Sequence, residues 1–231
     1  MSSRRNFLGA GLAGAALLSG CASTLKPIAS RALPAARVRV GDVWRYRIVN
    51  LYNRQTLSEV EARVVRAEPQ LLVTLLDATG KRIADESWSA PWQVIQEPFY
   101  DQVQIFEAPL PLVPFGRANG DTGWLSSPYR LPGQDFPFEW QVRTQAVGWE
   151  SVSVPAGTYE ALRIERDIRF RHPDYWRLSS QRFETLWYAP EVNRWVQREW
   201  TGQYRWAGVR SALREDAVRW QLLGYQPAAI A

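Results

Sequence analysis

From about residue 38 onward, large apolar residues alternate with charged ones at the period of two that is typical of β-strands. In Trp44-Arg45-Tyr46-Arg47-Ile48 the apolar side chains would face a core and the arginines solvent, and Tyr52 continues the apolar face. The alternation recurs over residues 162–170, where Arg166 is the one charged residue on an otherwise apolar face. The pattern predicts a mainly β fold built from antiparallel strands.

Turn sequences separate the predicted strands. Asp77-Ala78-Thr79-Gly80 predicts a hairpin loop and Pro155-Ala156-Gly157 a tight turn, because Gly, Asp and Pro favour the backbone angles of such turns. Only the short stretch Val209–Ala217 carries any helical pattern. Further strands are expected over Arg182–Tyr188, Arg194–Arg205 and Glu215–Tyr225.

Residues 37–226 are expected to form the folded, β-rich part of the chain, with little helix. Eight prolines fall between residues 90 and 137, which predicts an irregular segment with short edge strands. This Pro-rich segment separates two parts, 37–110 and 137–226. The pattern fits antiparallel meanders in a single half-barrel or wrapped sheet, and it fits two β halves equally well.

The first 20 residues are typical of a signal peptide. The apolar stretch from Phe7 to Leu18 is too short to span about 30 Å of hydrocarbon, so it predicts an export signal rather than an anchor. Ser3-Arg4-Arg5-Asn6-Phe7-Leu8 resembles the twin-arginine export motif, in which Arg4 and Arg5 are read by a receptor. The alternative is an ordinary secretion signal that contains two arginines.

The signal ends at the chain's one cysteine. Leu18-Ser19-Gly20-Cys21 resembles the lipobox of bacterial lipoproteins, in which the cysteine thiol receives the lipid. The alternative is an incidental or buried Cys21. Several acyl chains, palmitate among them, anchor a protein stably in a membrane. Ala22 favours the outer over the inner membrane, because Asp at this position often retains a lipoprotein in the inner one. Residues 21–36, rich in Ala, Ser and Pro, predict a flexible tether to a periplasmic domain.

Composition excludes several classes of partner. The formal charge is +5, from 28 basic and 23 acidic residues, and the arginines alternate with acids instead of forming the patch that nucleic acid needs. One Cys and one His allow neither an intrachain disulfide nor a Cys/His metal site. No phosphate-binding loop, dinucleotide motif or nucleophile motif occurs, so we expect no cofactor, no metal and no catalytic residue. His172, in a polar loop sequence, is expected to be exposed.

Three strings in the second half carry a resemblance to a known group. They are Val152-Ser153-Val154-Pro155-Ala156-Gly157-Thr158-Tyr159, Thr185-Leu186-Trp187-Tyr188-Ala189-Pro190 and Arg194-Trp195-Val196-Gln197-Arg198-Glu199. Over residues 148–200 the chain resembles uncharacterised exported bacterial proteins of the "VPAGTF…WYAP…GRWVK" type, a domain of unknown function. Asn193 stands where that group has Gly. The layout of strands after a lipobox is also similar to the half-barrel lipoprotein carriers and receptors of the periplasm.

The candidate ligand surface comprises two arginines and three tryptophans in the second half. Arg166 would sit in a structural ion pair or at a cavity edge, since a buried charge needs a partner. The tryptophans would fill the core beneath stacked arginines, or line a cavity. The strand Arg194–Trp200 carries Trp on both faces, so one of them is available for a site. The candidates are Arg166, Trp187, Trp195, Arg198 and Trp200.

These observations favour a non-enzymatic lipoprotein that binds a hydrophobic ligand or an envelope protein partner, or supports envelope assembly. The first alternative is a module that binds or cleaves cell-wall glycans with Trp platforms and a pair of carboxylates such as Glu184 and Glu199. The second is a packing partner in an envelope complex without any small-molecule site.

Overall fold

The computed structural model describes residues 25–30, 33–90, 92–98, 102–114 and 120–229. Arg4, Arg5 and Cys21 lie outside the described residues, so what the sequence indicates for them stays a prediction. The described residues form one short 3-10 helix, Ile28–Ser30, and fourteen β-strands. The strands are β1 Val43–Asn50, β2 Thr56–Arg66, β3 Leu71–Asp77, β4 Arg82–Ala90, β5 Gln93–Glu97, β6 Gln104–Pro111, β7 Asp121–Ser126, β8 Tyr129–Arg130, β9 Trp140–Val154, β10 Gly157–Phe170, β11 Arg177–Ala189, β12 Arg194–Trp206, β13 Ala212–Arg214 and β14 Val218–Gln226.

All fourteen strands belong to one antiparallel sheet, which confirms the predicted fold class. The strand order is β7-β9-β10-β11-β12-β14-β1-β2-β3-β4-β5-β6-β8, with β13 paired to β12. The last strand, β14, lies between β12 and β1 and hydrogen-bonds to both. Strands from the two predicted halves are therefore continuous in a single sheet.

The sheet wraps until its two ends lie side by side, without closing into a barrel. Its end strands β7 and β8 are separated in the chain by Ser127 and Pro128 alone. Ser127 contacts both ends: its backbone N–H donates to the Trp140 carbonyl of β9 at 3.1 Å, and its hydroxyl donates to the Ala108 carbonyl of β6 at 2.8 Å. The wrapped sheet thus encloses one interior.

Most sequence-predicted elements are present. Both predicted turns connect hairpins, β3–β4 and β9–β10. Two details were wrong. Tyr52 lies beyond the end of β1 and is 55% exposed rather than on the apolar face. The stretch Val209–Ala217 forms a turn and the short strand β13 instead of a helix, because its backbone finds partners on the end of β12.

The interior is filled largely by indole rings from distant parts of the chain. Trp88 packs edge-on against Trp92 at 5.1 Å between ring centroids, and Trp92 against Trp195 at 5.6 Å. Such pairs add to the burial of large apolar area. The tryptophans that are almost fully buried are Trp44, Trp88, Trp92, Trp140, Trp149 and Trp195. Both predicted halves therefore contribute to one core.

The described part of the segment predicted to be a tether contacts the sheet. Lys26 and Trp149 exchange two backbone hydrogen bonds of 2.7 and 2.8 Å, so the segment extends the free edge of β9 beyond β7. The Trp149 indole donates to the Ile28 carbonyl at 3.2 Å, and the Lys26 ammonium pairs with Glu160 at 2.8 Å. A Cβ on Gly148 would come within 2.4 Å of the Lys26 carbonyl oxygen, so glycine permits this close approach.

Candidate functional site

A chain of buried ion pairs crosses the interior of the wrapped sheet. Glu184 of β11 accepts hydrogen bonds from Arg166 of β10 and Arg198 of β12. The same Arg198 donates to Glu97 of β5 at 2.5 Å. Arg194 of β12 donates to both oxygens of Glu86 of β4, at 2.6 and 2.9 Å. These side chains are at most 1% exposed, so the pairs join opposite walls in a dry interior.

Burial and neighbouring charges shift the pKa values of two of these carboxylates, Glu184 and Glu86, in opposite directions. Burial raises the pKa of Glu184, but the charges and hydrogen bonds of Arg198 and Arg166 outweigh it, and the pKa lies below its usual value. Burial raises the pKa of Glu86 above its usual value, and Arg194 offsets only part of that effect. Glu184 therefore acts as a fixed negative charge between two cations.

Aromatic rings surround Arg194. Its guanidinium lies 3.7 Å from the ring centroid of Trp195, 5.1 Å from Trp44 and 5.4 Å from Trp92. Cation–π attraction of this kind is stronger when the groups are desolvated. The neighbouring Arg194 and Trp195 of β12 thus form a buried contact between a guanidinium and an indole ring.

The five candidate surface residues do not lie together. Arg166, Trp195 and Arg198 are at most 2% exposed and belong to the interior. Trp187 faces the opposite side of β11, where its indole donates to Glu150. Trp200 lines a cleft that opens at one end of the wrapped sheet. The structure therefore places Arg166 and Arg198 in buried ion pairs and Trp195 beside them in the core. Trp187 lies on the outer face and Trp200 at the cleft.

The cleft has a volume of about 560 Å³ and lies between the ends of strands from both halves. Such a volume is typical of sites for small organic ligands. Leu57 and Ile83 line the cleft and are 54% and 55% exposed, which places them at its mouth. Its apolar wall consists of Ile48, Leu57, Val60, Leu75, Ile83, Ala84, Pro98, Trp200, Val218 and Trp220.

The other wall of the cleft is charged. Glu215 accepts hydrogen bonds from Arg177 and from Arg182, the latter at 2.5 Å, and these three side chains are at most 12% exposed. Exposed Arg214 and Asp216 stand beside them. Three arginines face two carboxylates, so this wall carries a net positive charge next to an apolar one.

Stacking and a glycine hold the charged wall in place. The guanidinium of Arg182 lies 4.4 Å from the Phe170 ring centroid, and that of Arg177 lies 4.0 Å from the Tyr204 centroid. A Cβ on Gly202 would come within 2.3 Å of a Glu215 carboxylate oxygen. Glycine at this position therefore leaves the space that the carboxylate occupies.

Glu184 and Glu199 do not form a carboxylate pair. In the β11–β12 register Glu184 lies opposite Trp200, and Glu199 lies opposite Thr185. Side chains alternate between the two faces of a sheet, so Glu184 points inward and Glu199 outward, where it pairs with Arg219 at 2.6 Å. A glycan site would need other residues, and that alternative stays a prediction.

His172 occupies the predicted loop but is 8% exposed, so the expectation of an exposed side chain was wrong. Its Nδ1 accepts the backbone N–H of Asp174 at 2.9 Å and so fixes the loop between β10 and β11. The ring also packs near Phe170, at 6.4 Å between centroids. Its burial follows from these local contacts.

The charged wall was not predicted from the sequence, although β11 carries a usable signal. On β11, Arg182 and Glu184 fall on the same face as the buried Leu186 and Tyr188, just as Arg166 falls on the apolar face of β10. Arg166 was singled out as a charged residue on an apolar strand face, and the same criterion applies to Arg182 and Glu184. Nothing local indicates that Glu215 completes the group, because it comes from a distant turn.

Within the described ranges, no group of three or more His, Cys, Asp or Glu side chains could hold a metal ion. No helix in that part of the chain is long and apolar enough to cross a bilayer.

Comparison with known proteins reveals similarity at the level of fold. No family model and no curated protein matches the sequence. A candidate lipoprotein of Parabacteroides distasonis aligns over 84% of this chain and 100% of its own, with a TM-score of 0.50 and 12% identity. A candidate exported protein of Bacteroides fragilis with a YmcC-like fold aligns over 83% and 98%, with a TM-score of 0.50 and 14% identity. The hypothetical lipoprotein YmcC of Escherichia coli aligns over 83% and 87%, with a TM-score of 0.45 and 10% identity.

Proposed function

We propose that this protein is an envelope lipoprotein without catalytic activity, which binds a ligand with an apolar body and an anionic group in the cleft of its wrapped sheet. The single observation that carries the proposal is the cleft itself, with one apolar wall and one arginine-rich wall. The fold shared with exported proteins and lipoproteins supports the proposed location in the cell envelope.

The two walls divide the recognition of such a ligand. The apolar wall would exclude water from a hydrocarbon or ring system, at about 25 cal/mol for each Å² buried. The planar guanidinium of Arg214, exposed at the rim, suits a carboxylate or phosphate oxygen. Arg177 and Arg182 share one carboxylate, so they add a positive field deeper in the cleft.

The test uses the acylated protein in phospholipid discs and dibromostearate, a fatty acid whose bromines quench tryptophan on contact. Trp200 and Trp220 line the cleft and would report its occupancy. Discs without protein correct for partition of the probe into lipid. We expect saturable quenching by the acid, and weaker binding of its uncharged methyl ester. Quenching that rises without saturation would contradict a defined site.

Two matched pairs of variants locate the binding. Ala84→Phe fills the apolar wall, whereas Ala212→Phe adds the same ring at an exposed position of β13. Arg214→Gln removes a charge at the rim, whereas Arg210→Gln removes one from an exposed loop outside the cleft lining. We expect Ala84→Phe and Arg214→Gln each to weaken binding of the acid about tenfold, which corresponds to about 1.4 kcal/mol. Equal effects within a pair would place the ligand elsewhere.

The proposed cellular location is tested separately. Lipid on Cys21, including palmitate, would anchor the chain with its domain facing the periplasm, and Ala22 favours the outer membrane. Arg4 and Arg5 would direct export by the twin-arginine route. The intact mass of protein from separated inner and outer membranes, beside Cys21→Ala, would reveal the acyl chains and their membrane. An unacylated product would contradict the anchor, and unchanged export of an Arg4→Lys, Arg5→Lys variant would contradict the route.

A further inference from the structure

We infer that the N-terminal connection holds the mouth of the cleft away from the membrane that carries the lipid, so that ligand enters from the aqueous side. The inference rests on the proposed acylation of Cys21 and goes beyond it, because acylation alone sets no orientation. It follows from the length of chain between Cys21 and the sheet and from the place where that chain joins the sheet.

The connection is short. Cys21 and Leu25, the first described residue, are four residues apart, and a fully extended chain covers at most about 14 Å over that length. The limit holds for any conformation of the intervening residues. Lys26 is then fixed by its two backbone hydrogen bonds to Trp149 and by its ion pair with Glu160. Leu25 therefore stays within about 14 Å of the acylated residue, and Lys26, which is paired with β9, within about 18 Å.

The cleft lies far from this attachment. Trp149 pairs with Leu162 of β10, which pairs with Tyr188 of β11, so these residues share one level of the sheet. Along β11, Arg182 lies six residues and Arg177 eleven residues from Tyr188, on the side of the cleft. At about 3.3 Å per residue these separations are about 20 and about 36 Å. A strand inclined by about 45° to the axis of the wrapped sheet reduces the longer separation to about 25 Å along that axis, and the two strand spacings between β9 and β11 change it by at most about 7 Å. The rim therefore lies at least about 18 Å from the level of the attachment.

The two lengths decide the orientation. If the mouth lay flat on the anchoring membrane, Leu25 would stand at least about 18 Å above the surface, and the connection reaches only about 14 Å. The mouth, with its exposed apolar side chains Leu57 and Ile83, is therefore held off the leaflet that carries the lipid and opens to the aqueous compartment. A ligand would reach the cleft from that compartment rather than by lateral diffusion within the anchoring leaflet.

The experiment measures the distance of two labelled positions from the membrane. The chain has one cysteine, and acylation consumes its thiol, so an introduced cysteine is the one site for a fluorophore. Ile83→Cys marks the mouth and Ser151→Cys marks the exposed surface of β9 near the attachment. The acylated proteins are placed in phosphatidylcholine vesicles that contain an acceptor dye on lipid headgroups. We expect energy transfer from Ser151→Cys to exceed that from Ile83→Cys about twofold.

Two further variants lengthen the connection. A flexible Gly/Ser insertion of about a dozen residues after Thr24 leaves the sheet untouched. Gly148→Ala places a Cβ within 2.4 Å of the Lys26 carbonyl and should release the segment from the edge of β9. We expect both to remove most of the difference in transfer between the two labels. The insertion remains informative if Gly148→Ala destabilises the sheet.

Each outcome decides between the inference and its premise. Equal transfer from the two labels in the unmodified chain, or stronger transfer from Ile83→Cys, would overturn the orientation although the lipid anchor stands. An insertion that leaves a large difference unchanged would show that contacts other than the short connection set the orientation, and would also overturn the inference. Protein that does not float with the vesicles would refute the anchor on which the inference rests.

Discussion

Glu184→Gln removes the one negative charge between two buried guanidiniums. The carboxylate accepts charge-assisted hydrogen bonds from Arg166 and Arg198, and all three side chains are at most 1% exposed. Removing one partner of a buried pair costs about 3–5 kcal/mol, because the charges left behind stay out of water. Arg198 retains its second partner, Glu97, so we expect about 4 kcal/mol. For a domain of this size that lowers Tm by about 8–16 °C.

Urea unfolding followed by circular dichroism measures this free energy. Glu199→Gln is the matched control, because Glu199 is 24% exposed and its pair with Arg219 is worth about 0–1 kcal/mol. The pKa of Glu184 lies below its usual value, so its contribution is present above pH 4.5 and is lost as the pH falls through its lower pKa in the folded state. The difference between the original chain and Glu184→Gln should therefore shrink in acid. Equal losses in both variants at pH 7 would refute the reasoning.

Three further predictions concern single contacts. Glu86→Gln should cost less than Glu184→Gln at pH 7, since burial already raises the pKa of Glu86; the contribution of Glu86 falls as the pH rises above 4.5, and urea titrations from pH 4 to 8 should show that slope vanish in the variant. Gly202→Ala should displace the carboxylate of Glu215 and lower stability by about 1–3 kcal/mol, whereas no loss in thermal melts would mean that the side chain relocates freely. Asn193 has φ of 54°, so Asn193→Val should cost about 1–2 kcal/mol more than Asn193→Gly in the same melts, because both variants lose the hydrogen bond to Arg37 and only valine strains the left-handed backbone.

Local hydrophobic patterns predicted the strands of the second half, because their period of two matches the alternation of buried and exposed side chains along those strands. In β10 the apolar face of residues 162–170 is buried, and Arg166 lies in the structural ion pair that was one of its two expected roles. The Gly expected before Arg194 is replaced by Asn193, which tolerates the left-handed backbone and also accepts the N–H of Arg37 at 2.9 Å. In both cases neighbouring residues supply the information.

Contacts between distant strands could not be predicted in this way. The partners of Arg194 and Arg198, Glu86 and Glu97, lie about a hundred residues earlier in the chain. They meet because the sheet wraps, and no spacing in the sequence encodes that closure. The cleft depends on the same long-range event, since its apolar wall comes mainly from the first half and its charged wall from the second. The site residues predicted from the second half alone therefore include Trp200 but not Ile83.

The motif strings and the cleft occupy opposite ends of the molecule. The turn at Pro155–Gly157, the loop at Pro190–Asn193 and the buried Arg194 lie at the end where the N-terminal segment joins β9, whereas the cleft opens where β11 begins and β12 ends. The residues that carry the resemblance thus form tight turns and contribute to the buried ion pairs that join β12 to β4 and β5 across the interior. They stabilise the wrapped sheet at one end, and the residues at the opposite rim line the cleft. We therefore expect substitutions of the exposed residues Arg214 and Ile83 to change what binds in the cleft and to leave the fold intact.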